Sequence, residues 1–519
     1  MNRLLLGILF IPWWLPWVLE SEPSTAQAPP AAFAANAKRV LPSGPLSLPW
    51  SATARLDRYP FLKLDQNAIL NQNQSIAQVY ELLRQVEAGE RRTINIVHIG
   101  DSHLQADWFS GHVRMALHRR FGSAGRGLIF PYKLANTNSP PDIHVATNIR
   151  WNTRRNINRN GNLPIGISGI TAHTNQSNYA LDIALDDNEF DIDYAFNKIT
   201  FFTDKGPRNY DLSLTRKGAP APAPAPSALS SPQKVMYHEV KAGENLSLIS
   251  RKYRISIGEI QRLNHLKDAT IYAGQKLLIK SESVVPRTKS VQVPGLGGEL
   301  ASVRLSSHSL TPFTSTVYLD KAMEAVTVRA SQRYPTQGQT TLYGMVLENY
   351  DRRGILYHMI GVNGAQFEHY NNAAYFFPQL RELNPDLVIV SLGTNECHNS
   401  AFRAETFFRQ VDAFTHQIEQ QAPLAQILFT TPADAWKGGR SNPHVFEARD
   451  VLMQYCMDNG HGVWDFFEVM GGEESIQYWY QNGLAARDRL HLSREGYILQ
   501  ARLLYEALEK GYNAYLARR

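Results

Sequence analysis

The stretch IVHIGDSHLQADW, residues 96–108, joins an apolar run to a helical pattern through a polar turn. The apolar run ends at Gly100, and Asp101, Ser102 and His103 follow at once. Two interpretations fit: a simple polar turn, or a serine nucleophile at the carboxyl end of a parallel strand, where open α/β sheets bind ligands. A lone Gly-Asp-Ser is common. The choice therefore depends on whether a base, an orienting acid and oxyanion donors occur elsewhere in a consistent order.

Apolar runs with strand character alternate with helical patterns on both sides of a long insertion. The runs lie at 94–99, 355–360, 387–392, 426–430 and 463–466. Strands that alternate with helices predict a parallel sheet covered on both faces. Between about 165 and 360 the chain has short alternating runs separated by turn residues, which is typical of a β domain. The sequence therefore predicts an α/β domain interrupted by an inserted β domain.

Composition limits the function classes. The chain has 519 residues, enough for two to four domains, and 43% of them are hydrophobic, so large cores can form. The net charge is +6, which suits an anionic polymer, but no Lys/Arg block is long enough to indicate nucleic-acid binding. The two cysteines, Cys397 and Cys456, are too few for a disulfide framework. We expect both to be buried thiols.

The first 28 residues have the features of a secretory signal. A short basic start, residues 1–3, precedes an apolar stretch at 4–19, and small residues follow at 24–26. This pattern predicts cleavage near Ala26 or Ala28 and export to the periplasm or cell envelope. The alternative is an uncleaved anchor, although the apolar stretch is short for a span of about 20 residues. No other segment is long and apolar enough to cross a membrane.

A second insertion lies within the first. The Pro/Ala-rich segment 218–236 predicts an extended linker, and 237–280 reads as strand, helix, helix and strand. This stretch resembles a LysM module through YHEVKAGENLSLIS, IGEIQRLN and IYAGQKLLI. The resemblance implies binding to glycans that contain N-acetylglucosamine. The candidate contacts lie in two loops: Gly243, Glu244, Asn245, Leu246, Ile271, Tyr272 and Gly274.

Two further blocks supply the residues that a serine nucleophile needs. The strand at 387–392 is followed by GTNE, in which the amide of Asn395 is placed to donate an N–H into a site. Before the last helical pattern stands DRLH, with Asp488 and His491 three residues apart, so one short loop can supply both base and orienting acid. Each block alone is common, but their order along the chain favours a nucleophilic role for Ser102.

Together these blocks resemble those of the SGNH, or GDSL-type, hydrolases over about 71–165 and 361–519. The resemblance implies Ser102, Asp488 and His491 as catalytic residues and the N–H of Ser102 and amide of Asn395 as oxyanion donors. It also implies a donor glycine after the second strand. Gly364 in IGVNGAQ occupies that position, and Gly169 in GISGITAHT is the rival.

One subgroup, the peptidoglycan O-acetylesterases, is similar in RRFGSAGRGLIFPY, GVNGAQ and DRLHLSREGY and in its inserted β-sandwich. The expected fold is a three-layer α/β/α hydrolase with a parallel sheet, interrupted by a β-sandwich that carries a βααβ LysM module. The expected segments are the signal at 1–28, a Pro/Ala-rich leader at 29–70, a first hydrolase segment at 71–165, β domain at 166–217, linker at 218–236, LysM at 237–280, β domain at 281–354 and a second hydrolase segment at 355–519.

The resemblance implies an exported serine esterase that removes O-acetyl groups from cell-wall polysaccharide, foremost peptidoglycan, without a metal or organic cofactor. Asp101 and His103 are expected to shape the turn. The alternatives are an esterase for another polysaccharide such as acetylated xylan, a transferase, and a non-catalytic peptidoglycan-binding protein. We expect a glycan partner, no nucleic acid and no membrane span after signal cleavage; the sequence leaves the oligomeric state open.

Overall fold

The structure is a computed structural model. It describes residues 50, 55–186, 189–218, 235–281, 299–305 and 313–519, with gaps in the LysM region at 242–243, 254, 256, 258–259, 262–263, 265, 267–269 and 273. The predicted signal, most of the predicted leader and most of the Pro/Ala-rich linker lie outside these residues.

A six-stranded sheet forms the centre of the α/β domain. Five strands are parallel and one edge strand is antiparallel. In spatial order the strands are Ile69–Leu70, Gly462–Trp464, Gln426–Thr430, Leu387–Ser391, Thr93–Gly100 and Gly354–Gly361. The five parallel strands begin and end close to the predicted apolar runs. Because their side chains are buried on both faces, they read as continuous rather than alternating apolar segments.

Helices flank this sheet in two groups, and the helices within each group contact one another. One group contains Ala77–Glu87, Trp108–Phe121 and Arg494–Ala517; the other contains Phe367–Asn371, Phe376–Leu380, Ala404–Gln421 and Pro443–Asn459. The shorter helices are Gln72–Ser75, Ser102–Gln105, Thr394–His398, Phe466–Val469 and Ser475–Gln481. The α/β fold expected from the sequence is confirmed.

Two antiparallel sheets form the inserted region. The five-stranded sheet has the order Glu299–Val303, Asp211–Thr215, Ala325–Ser331, Ala180–Leu185 and Ile143–Thr147. The other has the order Thr314–Met323, Phe196–Thr203, Thr340–Glu348, Ile170–Thr174 and Asn152–Arg155, and Gly125–Ile129 also pairs with Thr340–Glu348. Leu181 and Val328 of the first sheet line the same small internal space as Phe201 and Leu342 of the second. The two sheets therefore pack face to face.

The β strands begin earlier than the expected boundary at 166. The first of them, Gly125–Ile129, is buried throughout and so lacks the alternation that marks a half-exposed strand. Gly127 has φ +83°, and a Cβ there would lie 2.1 Å from the carbonyl oxygen of Tyr357. Only glycine allows this close approach to the central sheet. The end of the expected leader also differs, because Ile69–Leu70 pairs with the central sheet.

Four fully buried charged residues lie where the helices of the α/β domain meet the β strands. Arg114 and Arg126 both contact Asp107, at 2.8 and 2.6 Å, and both also contact Asp142. Every one of these side chains is 0% exposed. Since a buried charge is tolerated only when it is paired, this cluster ties the start of the β strands to the helix that follows the Ser102 turn.

The LysM region has a core of its own. The strands Val235–Glu239 and Lys276–Ser281 pair with each other, and the helix Leu246–Tyr253 lies between them in the chain. A second predicted helix, at 257–264, falls on residues that are only partly described. The module's buried apolar residues form a separate cluster: Val240, Leu246, Ile249, Ile260, Leu277 and Ile279.

Cys397 and Cys456 are buried free thiols, as expected. In the described portion of the chain, we find no helix that meets the length and hydropathy needed to cross a membrane.

Candidate active site

Ser102 lies on a tight turn at the end of the strand Thr93–Gly100. Gly100 is required there, because a Cβ would lie 2.5 Å from the Leu104 side chain and 2.8 Å from the carbonyl oxygen of Ser391. Asp101 caps the short helix that follows, and its Oδ1 accepts from the N–H of His103 at 3.0 Å. The turn thus places Ser102, which is half-buried, at the carboxyl edge of the parallel sheet.

The structure brings Ser102, His491 and Asp488 into one hydrogen-bonded row. Ser102 Oγ lies 3.0 Å from His491 Nε2, and His491 Nδ1 lies 2.8 Å from Asp488 Oδ2. A carboxylate on Nδ1 keeps the proton on that nitrogen, so Nε2 is the nitrogen that accepts from the serine hydroxyl. Both distances fall within the range expected for a nucleophile, its base and an orienting acid.

Asp488 is itself held by the loop that carries it. Its Oδ1 accepts from the backbone N–H groups of Leu490 and His491, each at 3.0 Å. Partial burial opposes ionisation of Asp488. The hydrogen bonds from His491 and from the two backbone groups outweigh that effect and hold the pKa of Asp488 below its ordinary value. The carboxyl is therefore a charged acceptor for the imidazole at neutral pH.

Asn395 lies between the turn that carries Ser102 and the turn that carries Gly364. Its Nδ2 donates to Asp101 Oδ2 and to the carbonyl oxygen of Ala365, both at 2.9 Å. These two bonds fix the amide beside Ser102. Burial raises the pKa of Asp101 to about 7, so this acceptor loses its charge as the pH falls below neutrality.

Gly364 and Gly169 occupy very different surroundings. Both have positive φ, +81° and +67°. A Cβ on Gly169 would lie 2.7 Å from the side chain of Val362, and the Gly169 N–H donates to the carbonyl oxygen of Gly166. A Cβ on Gly364 would meet only Ile157, at 3.9 Å. Gly364 therefore borders open space, whereas Gly169 is packed and its N–H is used.

The backbone N–H groups of Ser102 and Gly364 share a further property. Neighbouring amides in both turns are bonded. In the Ser102 turn, His103 N–H donates to Asp101 Oδ1 at 3.0 Å; in the Gly364 turn, Asn363 N–H donates to Gln105 Oε1 at 2.7 Å and Ala365 N–H donates to the carbonyl oxygen of Val362 at 2.9 Å. Within the described residues, the N–H groups of Ser102 and Gly364 have no protein acceptor. The Asn395 amide joins the two turns through Asp101 and Ala365.

Gln105 is a site residue that the sequence analysis did not single out. It is buried, three residues after Ser102. Its Nε2 donates to Thr137 Oγ1 and to Asn138 Oδ1, both at 2.7 Å, while its Oε1 holds the turn before Gly364. The sequence gives only a weak signal for this role, the i, i+3 spacing of Gln105 from Ser102. The three segments that Gln105 joins are far apart in the chain, so no local pattern reveals their contact.

The predicted LysM contacts differ in accessibility. Gly243 lies outside the described residues. The carboxylate of Glu244 pairs with His238 at 2.7 Å, and Asn245 caps the helix through Leu248 N–H. Leu246 is 2% exposed, so its side chain belongs to the module's core. Tyr272 is 71% exposed, beside half-buried Ile271 and the open turn at Gly274.

Among the described residues, no group of three or more His, Cys, Asp or Glu side chains is arranged to hold a metal ion. The site described above is built from a serine, an imidazole, carboxylates and amides. This set suits acyl transfer through an activated hydroxyl.

Comparison with known families identifies two domains. Residues 327–499 match the GDSL-like lipase/acylhydrolase family, and residues 238–280 match the LysM domain. A probable N-acetylmuramidase of Lactococcus lactis subsp. lactis (strain IL1403) is 48% identical over 46 residues. That match covers 9% of this chain and 10% of the relative, so it spans about a tenth of the relative's length.

Comparison with solved structures supports the fold. A peptidoglycan O-acetylesterase superposes with a TM-score of 0.58 at 19% identity, over 85% of this chain and 98% of the other. An acetyl xylan esterase, AlAXEase, aligns with a TM-score of 0.25 at 18% identity, over 30% of this chain and 81% of that one. The chain thus carries a GDSL-like acylhydrolase domain and a LysM domain. It has the fold seen in the O-acetylesterase.

Proposed function

We propose that this chain is an exported serine esterase that removes O-acetyl groups from peptidoglycan. The observation that carries the proposal is the row Ser102–His491–Asp488, with both hydrogen bonds at 3.0 Å or less. It lies on a GDSL-like acylhydrolase domain in a chain that also carries a LysM domain. A LysM domain suits a substrate that belongs to the cell wall, as does the fold shared with a peptidoglycan O-acetylesterase.

In the first step, Ser102 Oγ attacks the acetyl carbonyl carbon while His491 Nε2 takes its proton. Asp488 stabilises the imidazolium that forms and keeps the ring in the productive orientation. The carbonyl oxygen becomes an oxyanion, and its charge is accepted by the N–H groups of Ser102 and Gly364 and by the Asn395 amide. Because the N–H groups of Ser102 and Gly364 have no other acceptor among the described residues, these two donors need no rearrangement at the moment of reaction.

Collapse of the tetrahedral intermediate expels the sugar hydroxyl, which receives the proton from His491. The acetyl group is then attached to Ser102 Oγ as an ester. A water molecule, deprotonated by His491, attacks this ester through a second oxyanion and releases acetate. Ser102 regains its proton, and the enzyme returns to its starting state.

Acetate release from two polymers tests the substrate. We expect faster release, at matched acetyl concentration, from O-acetylated peptidoglycan than from acetylated xylan, because a LysM domain concentrates the enzyme on glycans that contain N-acetylglucosamine. Ser102→Ala is the blank for both polymers. Faster release from xylan would assign the enzyme to a different polysaccharide. Peptidoglycan binding with no acetate released from any ester would indicate a binding protein instead.

A further inference from the structure

His103, next to the proposed nucleophile, lies against the ring of His491. The two imidazoles are stacked, with centroids 5.2 Å apart and planes 25° from parallel. His103 is 8% exposed, whereas the side chain of His491 is 37% exposed. One face of the His491 ring is therefore covered by the buried imidazole of His103, while part of the His491 side chain remains exposed to solvent.

Tyr497 fixes the orientation of His103. Its hydroxyl lies 3.0 Å from His103 Nδ1, and the two rings meet edge to face at 78°. Tyr497 lies on the helix Arg494–Ala517, three residues after its first residue. This helix begins just after the Asp488–His491 loop, so the same element that follows the proposed triad also holds the ring behind it.

A histidine at position 103 lowers the stability of the fold relative to an apolar residue if it only fills space. Its Nε2 is buried and has no protein hydrogen-bond partner among the described residues. A buried polar atom without a partner costs free energy that an apolar side chain of similar size would not. What distinguishes His103 from other buried histidines such as His118 is that its ring stacks on the ring of His491.

The ring of His103 stays neutral while its neighbour becomes charged. Burial, with a smaller effect from His491, lowers the pKa of His103 to about 3. The other titratable groups around the two rings are Asp488 in the same loop, Asp101 on the nucleophile turn, His398 on the helix Thr394–His398, and Tyr497. Burial also raises the pKa of Tyr497, so its hydroxyl remains protonated.

Resting on the function proposed above, we propose that His103 is a positioning residue for the esterase reaction. Its neutral ring packs against one face of His491. The π face of His103 then stabilises the imidazolium that forms when His491 takes the serine proton. A cation over an aromatic face is attracted by the ring quadrupole, and the attraction grows when the pair is shielded from water. Tyr497 sets the angle at which this face is presented.

The test compares His103→Leu with His103→Phe, using p-nitrophenyl acetate as the probe. Leucine fills space without a π face, whereas phenylalanine keeps the face but loses the bond to Tyr497. We expect His103→Leu to lower kcat about tenfold with KM changed less than twofold. The acid limb of its kcat/KM–pH profile should move to lower pH by about half a unit, because the imidazolium is less favoured. His103→Phe should retain at least about a third of the wild-type kcat and the wild-type acid limb.

His118→Leu is the matched control, because His118 is another buried histidine and packs against Tyr194 rather than the triad. It should leave kcat and the acid limb unchanged. If His103→Leu does not fold, His103→Gln gives the same comparison, since it also lacks a ring. A ring-free variant with wild-type kcat and pH profile overturns the inference, as does a His103→Phe variant impaired as strongly as His103→Leu.

The outcomes separate this inference from the function it rests on. Wild-type protein that hydrolyses the ester no faster than Ser102→Ala would overturn both. Active wild-type protein with an unaffected His103→Leu variant would overturn only the role of His103.

Discussion

The donors around Ser102 differ in how freely they reach a ligand. The N–H groups of Ser102 and Gly364 have no acceptor in the described portion of the protein, whereas the Asn395 amide nitrogen already donates to two acceptors. For Asn395 to serve an oxyanion, one of these bonds must be shared or exchanged. The contribution of Asn395 therefore needs a test of its own.

Asn395→Ala should lower kcat for a small acetyl ester by about 10²–10³, the usual cost of losing one oxyanion donor. Thermal unfolding should show a modest loss of stability as well, because Asp101 Oδ2 and the Ala365 carbonyl lose a partner. Asn399→Ala, at the other end of the same short helix, is the control. Turnover of Asn395→Ala within tenfold of wild type would reduce Asn395 to a structural link.

Glu396 provides a prediction about pH and stability. Burial raises its pKa to about 8, and its Oε1 accepts from Phe367 N–H while Oε2 is enclosed without a partner among the described residues. A carboxyl whose folded-state pKa is raised stabilises the fold below its unfolded-state pKa. That contribution is lost as the pH rises through the folded value.

Glu396→Gln keeps an oxygen acceptor for Phe367 and stays neutral at every pH. Relative to wild type, its free energy of unfolding should rise between pH 5 and 8 by up to about 1.4 kcal/mol per pH unit. Urea titrations across this range measure the difference. Glu405→Gln, at an 83% exposed side chain, should show no such trend. Parallel pH curves for wild type and Glu396→Gln would mean that Glu396 is already ionised when the protein is folded.

The strands and helices that were predicted best are those with a simple burial pattern. The five parallel strands follow from continuous apolar runs, and the helix Ala404–Gln421 buries Phe407, Val411, Phe414 and Ile418 on one face. Two strands were not predicted from the sequence. Gly125–Ile129 is buried on both sides and glycine-rich, and Asn152–Arg155 is largely polar. Their pairing partners, not their own residues, make them strands.

The candidate site was predictable to the extent that its residues stand at strand ends in a fixed order. The structure brings Ser102 to the Asp488–His491 loop and bonds Asn395 to Asp101 beside Ser102, while the roles of these residues in catalysis stay predictions. Gln105 and Arg489 were assigned no role, and His103 was expected only to shape the turn, because the contacts of these residues join segments far apart in the chain. No local pattern in the sequence reports such contacts.

The Asp488–His491 loop depends on Arg489. This residue has φ +50°, and its guanidinium lies between the rings of Trp436 and Tyr480, at 4.4 and 4.3 Å. Its Nε also donates to Gln477 Oε1 at 2.8 Å. The contacts hold a non-glycine residue in the left-handed region and so fix the short chain between the proposed acid and base.

Arg489→Gly should reveal how far this clamp positions the loop. Glycine accepts the positive φ, so the backbone is not strained, but both ring contacts are lost. We expect kcat to fall about tenfold or more with little change in KM, since small displacements of catalytic groups are costly. Arg487→Gly, at an exposed neighbour, is the control. Wild-type kcat for Arg489→Gly would show that the loop needs no clamp.

At the scale of the whole molecule, the chain leaves the β domain for the LysM module and returns to the β domain at a neighbouring point. Thr215 and Glu299, on either side of the module and its linkers, are paired residues of adjacent antiparallel strands. The module also has its own core and a two-stranded sheet of its own. These features support a tethered module whose fold and that of the hydrolase are nearly independent.

Deletion of 218–283 with the ends joined should leave hydrolysis of a small acetyl ester unchanged. It should weaken binding to insoluble peptidoglycan and slow acetate release at low polymer concentration, because a tethered binder acts by raising local concentration. Pull-down with insoluble peptidoglycan and acetate assays measure these effects. Equal damage to small-ester turnover would place the module within the site, and undiminished binding would identify the β domain as the anchor.

The proposed mechanism depends most on Ser102 as the nucleophile, and one kinetic comparison tests that role directly. Hydrolysis of p-nitrophenyl acetate is measured for wild type and Ser102→Ala at equal concentration of folded protein, with equal thermal unfolding as the check. We predict a loss in kcat of at least about 10⁴-fold, because only the oxyanion donors and binding remain. A folded Ser102→Ala variant within tenfold of wild type would contradict the account.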